Sequence, residues 1–214
     1  MNPTEREELI LQKAIEHFCA EGFEGSTREL ARKIGVTQSL LYRYFPTKEA
    51  LIDKVYERVY MSRWNPEWDA WLRDRSVSIE DRLKRYYVDY ASIIVQNEWV
   101  RILIFAGLKQ AGINERLFAL LRGKVYQTVV DELHEALALP PPRDAADEEM
   151  ELELVWGLHA SIFYLGMRKW VYQTSVPDDI DGLVQVLVEG FIESIKLYAR
   201  KRMPSTPEAA SQVC

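Results

Sequence analysis

The stretch from Ser26 to Lys48, STRELARKIGVTQSLLYRYFPTK, constrains the fold more than any other, because it holds two complete sets of helix start and stop signals in a very short span. Ser26 and Glu29 form a capping box, in which the hydroxyl accepts from the Glu29 amide while the carboxylate reaches back to the Ser26 amide. Leu30, Ala31 and Ile34 share one helical face. Gly35 then reaches the left-handed conformation that ends a helix without a side-chain clash. Thr37 is the next N-cap, and Leu41 and Phe45 supply the inward face of a second short helix. Pro46 stops that helix, since it lacks an amide hydrogen and biases Phe45 away from helical geometry, and Thr47 can cap a third. The pattern is a helix-turn-helix.

The residues left on the outside suit DNA. A helix fits the major groove, and the N-terminal end of a recognition helix faces the base edges, which assigns Gln38, Ser39 and Leu40 to base contacts. Helix-start amides, hydroxyls and cations suit phosphate oxygens, which assigns Ser26, Thr27, Arg28, Thr37, Tyr42, Arg43, Tyr44, Thr47 and Lys48 to the backbone. The stretch carries a net +4 inside a chain of net −6, so the rest sums to −10. Such a balance argues against coating nucleic acid over the whole surface and fits a local basic reader on an acidic body.

With these residues in view, GFEGSTRELARKIGVTQSLLYRYFPTKEALID resembles the DNA-binding head of the tetracycline-repressor-like (TetR) family of bacterial transcriptional regulators. The resemblance runs from the helix around Ala14 and Phe18, through Gly22 and Phe23, to Tyr42, Phe45, Lys48, Glu49 and Leu51. It implies an all-helical homodimer that binds a palindromic operator, most often as a repressor, and a variable body that usually binds a small effector. Residues 1–8, MNPTEREE, are polar and acidic, unlike the basic arm of some relatives, so no arm readout is expected.

The fold class expected is all-α: a three-helix head over residues 1–47, a larger helical effector-binding and dimerisation body over 48–203, and a disordered Pro-, Ser- and Ala-rich tail over 204–214. Apolar spacing predicts a buttressing helix from Leu9 to about Gly22 and a linking helix from Thr47 to about Arg63. The crowded tryptophans at 64, 68 and 71 follow without clear periodicity. A helix capped by Ser78 and Asp81 runs to about Gln96, and VRILIFAGLKQ is apolar nearly all round. A long helix capped by Asn114 reaches about Leu139, and PPPRDAADEE reads as a loop too polar to pack. Two long helices, about Glu148 to Tyr172 and about Asp179 to Arg202, close the chain.

Those last two helices carry more apolar positions than one thin face needs, so Leu154, Leu158, Ile162, Leu183, Leu187, Phe191 and Ile195 are assigned to a two-fold interface of four-helix-bundle form. An apolar site with sparse polar anchors is sought in the aromatic-rich body, with Trp64, Trp68, Tyr86, Tyr90, Trp99, Arg101, Phe105, Gln110, His159, Phe163 and Tyr164 as candidates. Arg101 is the one that could meet a carboxylate. By helical spacing alone the same residues are core, and neither His134 nor His159 can be oriented from sequence.

No nucleophile elbow, phosphate loop, paired histidines at metal spacing or Cys-x-x-Cys occurs, so neither catalysis, metal nor cofactor is expected. Cys19 sits on an apolar helix face and Cys214 at the chain end, outside any disulfide or metal pattern. Neither a secretion signal nor an apolar run long enough to span a membrane is found, and a cytoplasmic location is expected. The other reading is a ligand-independent DNA- or partner-binding regulator using the same head.

Overall fold

The computed structural model describes residues 2–202, and the expected tail at 204–214 lies outside them. Eleven α-helices and no strand occur among the described residues. Helix α1 (Pro3–Glu21) starts at Pro3 rather than near Leu9, because Asn2 builds a capping box the sequence reading passed over. The Asn2 side chain accepts from the Glu5 amide at 2.8 Å and Glu5 accepts from the Asn2 amide at 3.0 Å. The acidic start is therefore a helix N-terminus, where negative charge meets the positive end of the helix dipole. The buried face of α1, Ile10, Leu11, Ala14, Ile15 and Phe18, supports α2 (Thr27–Lys33) and α4 (Lys48–Val59), with Phe18 stacked on Phe23 at 4.4 Å between ring centroids. Helix α3 (Gln38–Tyr44) lies against α2. Beyond α4 the chain tightens into a 3-10 turn at Met61–Arg63, so the linking helix is shorter than its apolar pattern predicted.

The body begins with α5 (Trp68–Arg73), formed where no period was legible. Trp68 is 2% exposed and donates its indole N–H to Asp89 Oδ2 at 2.7 Å. Helices α6 (Ile79–Ile94) and α7 (Asn97–Lys109) meet at a bend of 79°. The expected long helix after Asn114 is three segments: α8 (Ile113–Leu121), a π-helical turn at Arg122–Tyr126, and α9 (Gln127–Leu137). Gly112, at φ +75°, takes the N-cap position, while the Asn114 side chain donates to Leu103 O at 3.1 Å instead of capping.

Helices α10 (Ala145–Trp170) and α11 (Ile180–Arg202) complete the body. The acidic connector is not free of the core: Asp144 caps α10, and Asp147, 4% exposed, is held by the Arg143 guanidinium and the Tyr198 hydroxyl. Charge pairing lets a stretch of that polarity pack. Helix α11 runs along α6, and α10 bridges α11, α7 and α9. Gly166 lets α10 pack closely on the end of α6, since a Cβ there would meet Val100 Cγ2 at 2.6 Å and Ile94 O at 2.9 Å. No single helix among the described residues is long and apolar enough to cross a membrane.

Two buried ion clusters tie these helices together. Arg82 and Glu132, 4% and 3% exposed, pair at 2.8 Å between α6 and α9, with Arg82 also donating to Leu72 O. Glu151 and Arg202, 2% and 6% exposed, pair at 2.6 Å between α10 and α11, and His134 Nε2 lies 2.9 Å from the same carboxylate. A buried pair stabilises only while both partners are present, because the survivor of a truncation is a desolvated charge. Glu132→Ala should therefore lower the unfolding free energy by about 3–5 kcal/mol, read from urea midpoints. A loss under about 1 kcal/mol, as for an exposed pair, would contradict the burial assigned here.

Candidate nucleic-acid interface and interior cavity

The turn between α2 and α3 is built as its residue types dictate. Ser26 and Glu29 close their capping box, with the Ser26 amide 2.8 Å from Glu29 Oε2. The Val36 amide reaches back to Ala31 O at 2.9 Å over Gly35, whose φ of +76° is reached by glycine without strain. Thr37 Oγ1 accepts from the Leu40 amide at 3.2 Å and starts α3. Leu30, Ala31, Ile34, Leu41 and Phe45 are buried, and Lys13 Nζ fastens the turn from below through Ile34 O at 3.1 Å.

This leaves the N-terminal turn of α3 outward. Ser39 is exposed, and Gln38 and Leu40 are half-buried, with Leu40 leaning on the core. Around them Arg28, Arg32 and Arg43 are exposed and form no ion pair among the described residues, so their charges remain open to an anionic partner. Thr27 Oγ1 and Tyr42 Oη lie 2.7 Å apart, a contact that joins the start of α2 to α3 and presents both hydroxyls on one side. Ser26, Thr37 and Thr47 each spend their hydroxyl on a helix cap and stand at the exposed helix starts. Tyr44 is half-buried against the core.

Lys48 departs from the role expected of it. Its ammonium donates to Phe23 O at 2.5 Å and Gly25 O at 2.9 Å, clamping the turn between α1 and α2 from the first residue of α4. An ammonium has three protons, so at most one is left for a phosphate.

The head meets the body where α1 packs on α7. Arg101, expected at a ligand, instead donates to Cys19 O and Ala20 O at the end of α1 and to Trp170 O in α10. The carbonyls ending α1 lack intrahelical partners, and a guanidinium with five donors suits them. Phe105, also expected in a pocket, lies beneath Gly22, where a Cβ would come within 2.8 Å of its ring. Cys19 is sealed in the same junction, and burial pushes its thiol up to about 12.

In the body, α6, α7, α8, the π-helical turn and α10 line a cavity of about 90 Å³ whose wall reaches the surface at the exposed Ala160. Four of the candidate pocket residues line it: Tyr90, Trp99, His159 and Phe163. The rest of the wall comes from Leu103, Leu117, Phe118, Leu121, Tyr126, Trp156 and Ala160, which helical spacing marked only as core or left unremarked. Trp64, Trp68 and Tyr86 form a neighbouring edge-to-face aromatic cluster, with Trp68 5.0 Å from Trp64 and 5.1 Å from Tyr86 between ring centroids. Gln110 ends α7 in a left-handed, exposed conformation and Tyr164 is 51% exposed, so both stand away from the cavity. Whether an aromatic residue lines space or fills it depends on where neighbouring helices stop, which periodicity does not encode.

His159 is the polar centre of this wall. Its Nδ1 lies 2.9 Å from Tyr87 Oη and its Nε2 3.3 Å from Tyr86 Oη. Burial lowers its pKa to about 3, so the ring is neutral at pH 7. A neutral imidazole has one donor and one acceptor, and the two phenols occupy both.

The residues expected at a two-fold interface are mostly turned inward. Leu158, Ile162, Phe191 and Ile195 are 0–6% exposed and pack in the body core, while Leu154, Leu183 and Leu187 are half-buried. The long helices each have two sides, and the strongly apolar one faces α6 and α7. The small and apolar residues that α10 and α11 leave outside include Gly157, Ala160, Tyr164, Val186, Gly190 and Leu197, with Val186 63% exposed.

Residues 10–55, the head as far as α4, match the family described as bacterial regulatory proteins, tetR family. The class C tetracycline repressor protein of Escherichia coli is 33% identical over 94 residues, 40% of this chain and 42% of that repressor. The chain thus spans about two-fifths of the length of the curated relatives it matches. Over nearly the whole chain the likeness is one of fold. A TetR-like transcriptional regulator from Rhodococcus sp. RHA1 superposes with a TM-score of 0.64 at 18% identity, covering 88% of this chain and 96% of that one. A TetR family transcriptional regulator from Pseudomonas syringae pv. tomato str. DC3000 gives 0.62 at 17%, covering 91% and 96%.

The buried imidazole makes stability depend on pH. Its folded pKa of about 3 lies below the unfolded value, about 6.5, so between the two the unfolded chain binds the extra proton. The stabilisation is complete above pH 6.5 and is lost as pH falls toward 3, with about 2 kcal/mol gone by pH 5. The unfolding free energy of the wild type relative to His159→Gln should therefore drop by about 2 kcal/mol between pH 7.5 and pH 5. An unchanged difference would mean that His159 is charged or hydrated in the folded protein.

Proposed function

We propose that this chain, which belongs to the TetR family of bacterial regulatory proteins, is a homodimeric repressor that binds a palindromic operator and is released from it by a small effector held in the cavity of the body. TetR-family regulators are DNA-binding regulators, generally repressors, and work on the chromosome is what supports a cytoplasmic location in this reading. The observation that carries the reading is the outward N-terminal turn of α3, with Gln38, Ser39 and Leu40 between the unpaired cations Arg28 and Arg43. In this reading the helix enters the major groove, Gln38 reads a base edge, and Thr27, Tyr42 and the two arginines hold phosphates. Lys48 acts on DNA mainly through the turn it clamps.

Symmetry follows from the operator. Two heads spaced about 34–36 Å apart meet successive major grooves, and a two-fold pair of α10 and α11 supplies that symmetry. The small residues Gly157, Ala160 and Gly190 let helix backbones approach, with Tyr164, Val186 and Leu197 as the apolar contacts. Helix α7 links the two functions: Trp99 and Leu103 line the cavity, while Arg101 and Phe105 on the same helix hold the end of α1. A ligand that fits only one placement of α7 shifts the head, and one that fits both placements equally does nothing. The small cavity favours a second reading, a regulator that works without a ligand. Operator affinity insensitive to every molecule the body binds would establish it.

Selection of bound duplexes from a random library should enrich an inverted repeat, whereas recovery of unrelated sequences would refute operator recognition. On that operator, Gln38→Ala should relax preference at one base position per half-site. Arg43→Ala should weaken all DNA alike and lower the salt slope by about 0.9 per lost phosphate contact. Gly190→Glu places a charge where a Cβ meets nothing within 4 Å, so the fold should persist while the dimer dissociates in sedimentation. A Gly190→Glu protein that remained dimeric would exclude this face.

A further inference from the structure

We propose that the body cavity selects an uncharged single-ring aromatic molecule bearing a hydrogen-bond acceptor such as a carbonyl oxygen, held by the hydroxyls of Tyr90 and Tyr126. This rests on reading the cavity as the effector site and specifies the chemical class of its occupant. Three properties of the wall point there.

The first is charge. No lysine, arginine, aspartate or glutamate lines the cavity; Arg101, between the wall residues Trp99 and Leu103, is spent on backbone carbonyls at the junction, and Arg116 and Arg122, next to Leu117 and Leu121, pair with Asp53 and Glu149. His159 is neutral, and burial raises the pKa of the Tyr90 and Tyr126 phenols, which keeps them protonated. An ionised ligand would give up its hydration and find no counter-charge, so carboxylates and amines are rejected.

The second is hydrogen bonding. His159 is saturated by Tyr86 and Tyr87 and has nothing to offer a ligand. Tyr90 and Tyr126 stand against the same imidazole, with ring centroids 4.5 and 4.7 Å from it, and both line the cavity. Neither of their hydroxyls makes a hydrogen bond among the described residues. Two phenol donors without partners, in a wall that also carries the indole N–H groups of Trp99 and Trp156, prefer an occupant that accepts over one that cannot, because a hydrocarbon leaves them unpaired.

The third is size and shape. A cavity of about 90 Å³ is smaller than the roughly 150 Å³ that holds benzene, so one ring is the limit and the wall must yield to admit it. The wall has a place to yield: Tyr126 closes the π-helical turn Arg122–Tyr126, and π turns are departures from the α ladder that recur at functional sites. The ring faces of Trp99, Phe118, Trp156 and Phe163 suit a flat aromatic guest.

Titration calorimetry on the full chain with acetophenone, ethylbenzene and benzoate tests the assignment. Acetophenone should bind about tenfold tighter than ethylbenzene, which matches its shape without the oxygen, and benzoate should give no heat. Tyr126→Phe and Tyr90→Phe keep the rings and should bring acetophenone to the ethylbenzene level while leaving ethylbenzene unchanged. Urea midpoints check that both variants fold. Equal affinity for acetophenone and ethylbenzene, tighter binding of benzoate, indifference to both phenol changes, or no binding of any probe up to its solubility limit would each overturn the proposal. Fluorescence anisotropy on the selected operator separates this from the effector reading. Acetophenone binding with unchanged DNA affinity keeps the ligand class and removes the effector role. Ethylbenzene binding as tightly as acetophenone and releasing the operator keeps the effector role and removes the ligand class.

Discussion

The contact on which the rest of this molecule depends is the seat of α1 on α7. A helix ends with carbonyls that lack partners, and here Arg101 answers those at Cys19 and Ala20 while Phe105 fills the space under Gly22. The glycine is required twice over, by its φ of +82° and by the ring against it. Through this seat the three-helix head, which has a short core of its own, is held to a body several times its size. Tyr60, at the end of α4, adds a second tether by donating to Trp99 O at 3.2 Å, which joins the linking helix to a residue of the cavity wall.

Within the body, polar burial organises what hydrophobic burial only compacts. The Arg82–Glu132 pair joins α6 to α9 and the Glu151–Arg202 pair joins α10 to α11, and a slip at either contact would leave a desolvated charge unpaired. The imidazole of His159 does the same for α6 and α10 with neutral groups, fixing Tyr86 and Tyr87 at its two nitrogens. These groups concentrate on the buried side of α6, away from the exposed Asp81, Arg85 and Ser92, which is why Tyr86 and Tyr87 reach 0% exposure with their hydroxyls satisfied.

The head was legible because its signals are local. Capping box, glycine turn, threonine cap and proline stop each act within a few residues, and all of them form as read, as do the buried faces of α2 and α3. Asn2–Glu5 is a signal of the same kind, and it starts α1 six residues ahead of the apolar period at Leu9. The cavity was half legible. Tyr90, Trp99, His159 and Phe163 were named, but Arg101, Gln110 and Tyr164 were drawn to it by chemistry alone, and nothing in their own neighbourhood reveals which helix end they serve. The interface residues failed for a related reason: Leu158, Ile162, Phe191 and Ile195 mark the strongest apolar stripe, and the strongest stripe belongs to the core.

The π-helical turn at Arg122–Tyr126 has one more consequence. Each residue of an α-helix advances the side chain by about 100° around the axis, so a turn that accommodates one extra residue rotates everything after it by that amount. Helices α8 and α9 are therefore two faces in different phase on one continuous rod. Leu117 and Leu121 face the cavity before the turn, and Glu132 meets Arg82 after it. A lineage that lost one residue here would keep its helix and its composition yet point the carboxylate away from its arginine. The length of this turn is thus as specific an instruction as any side chain in it.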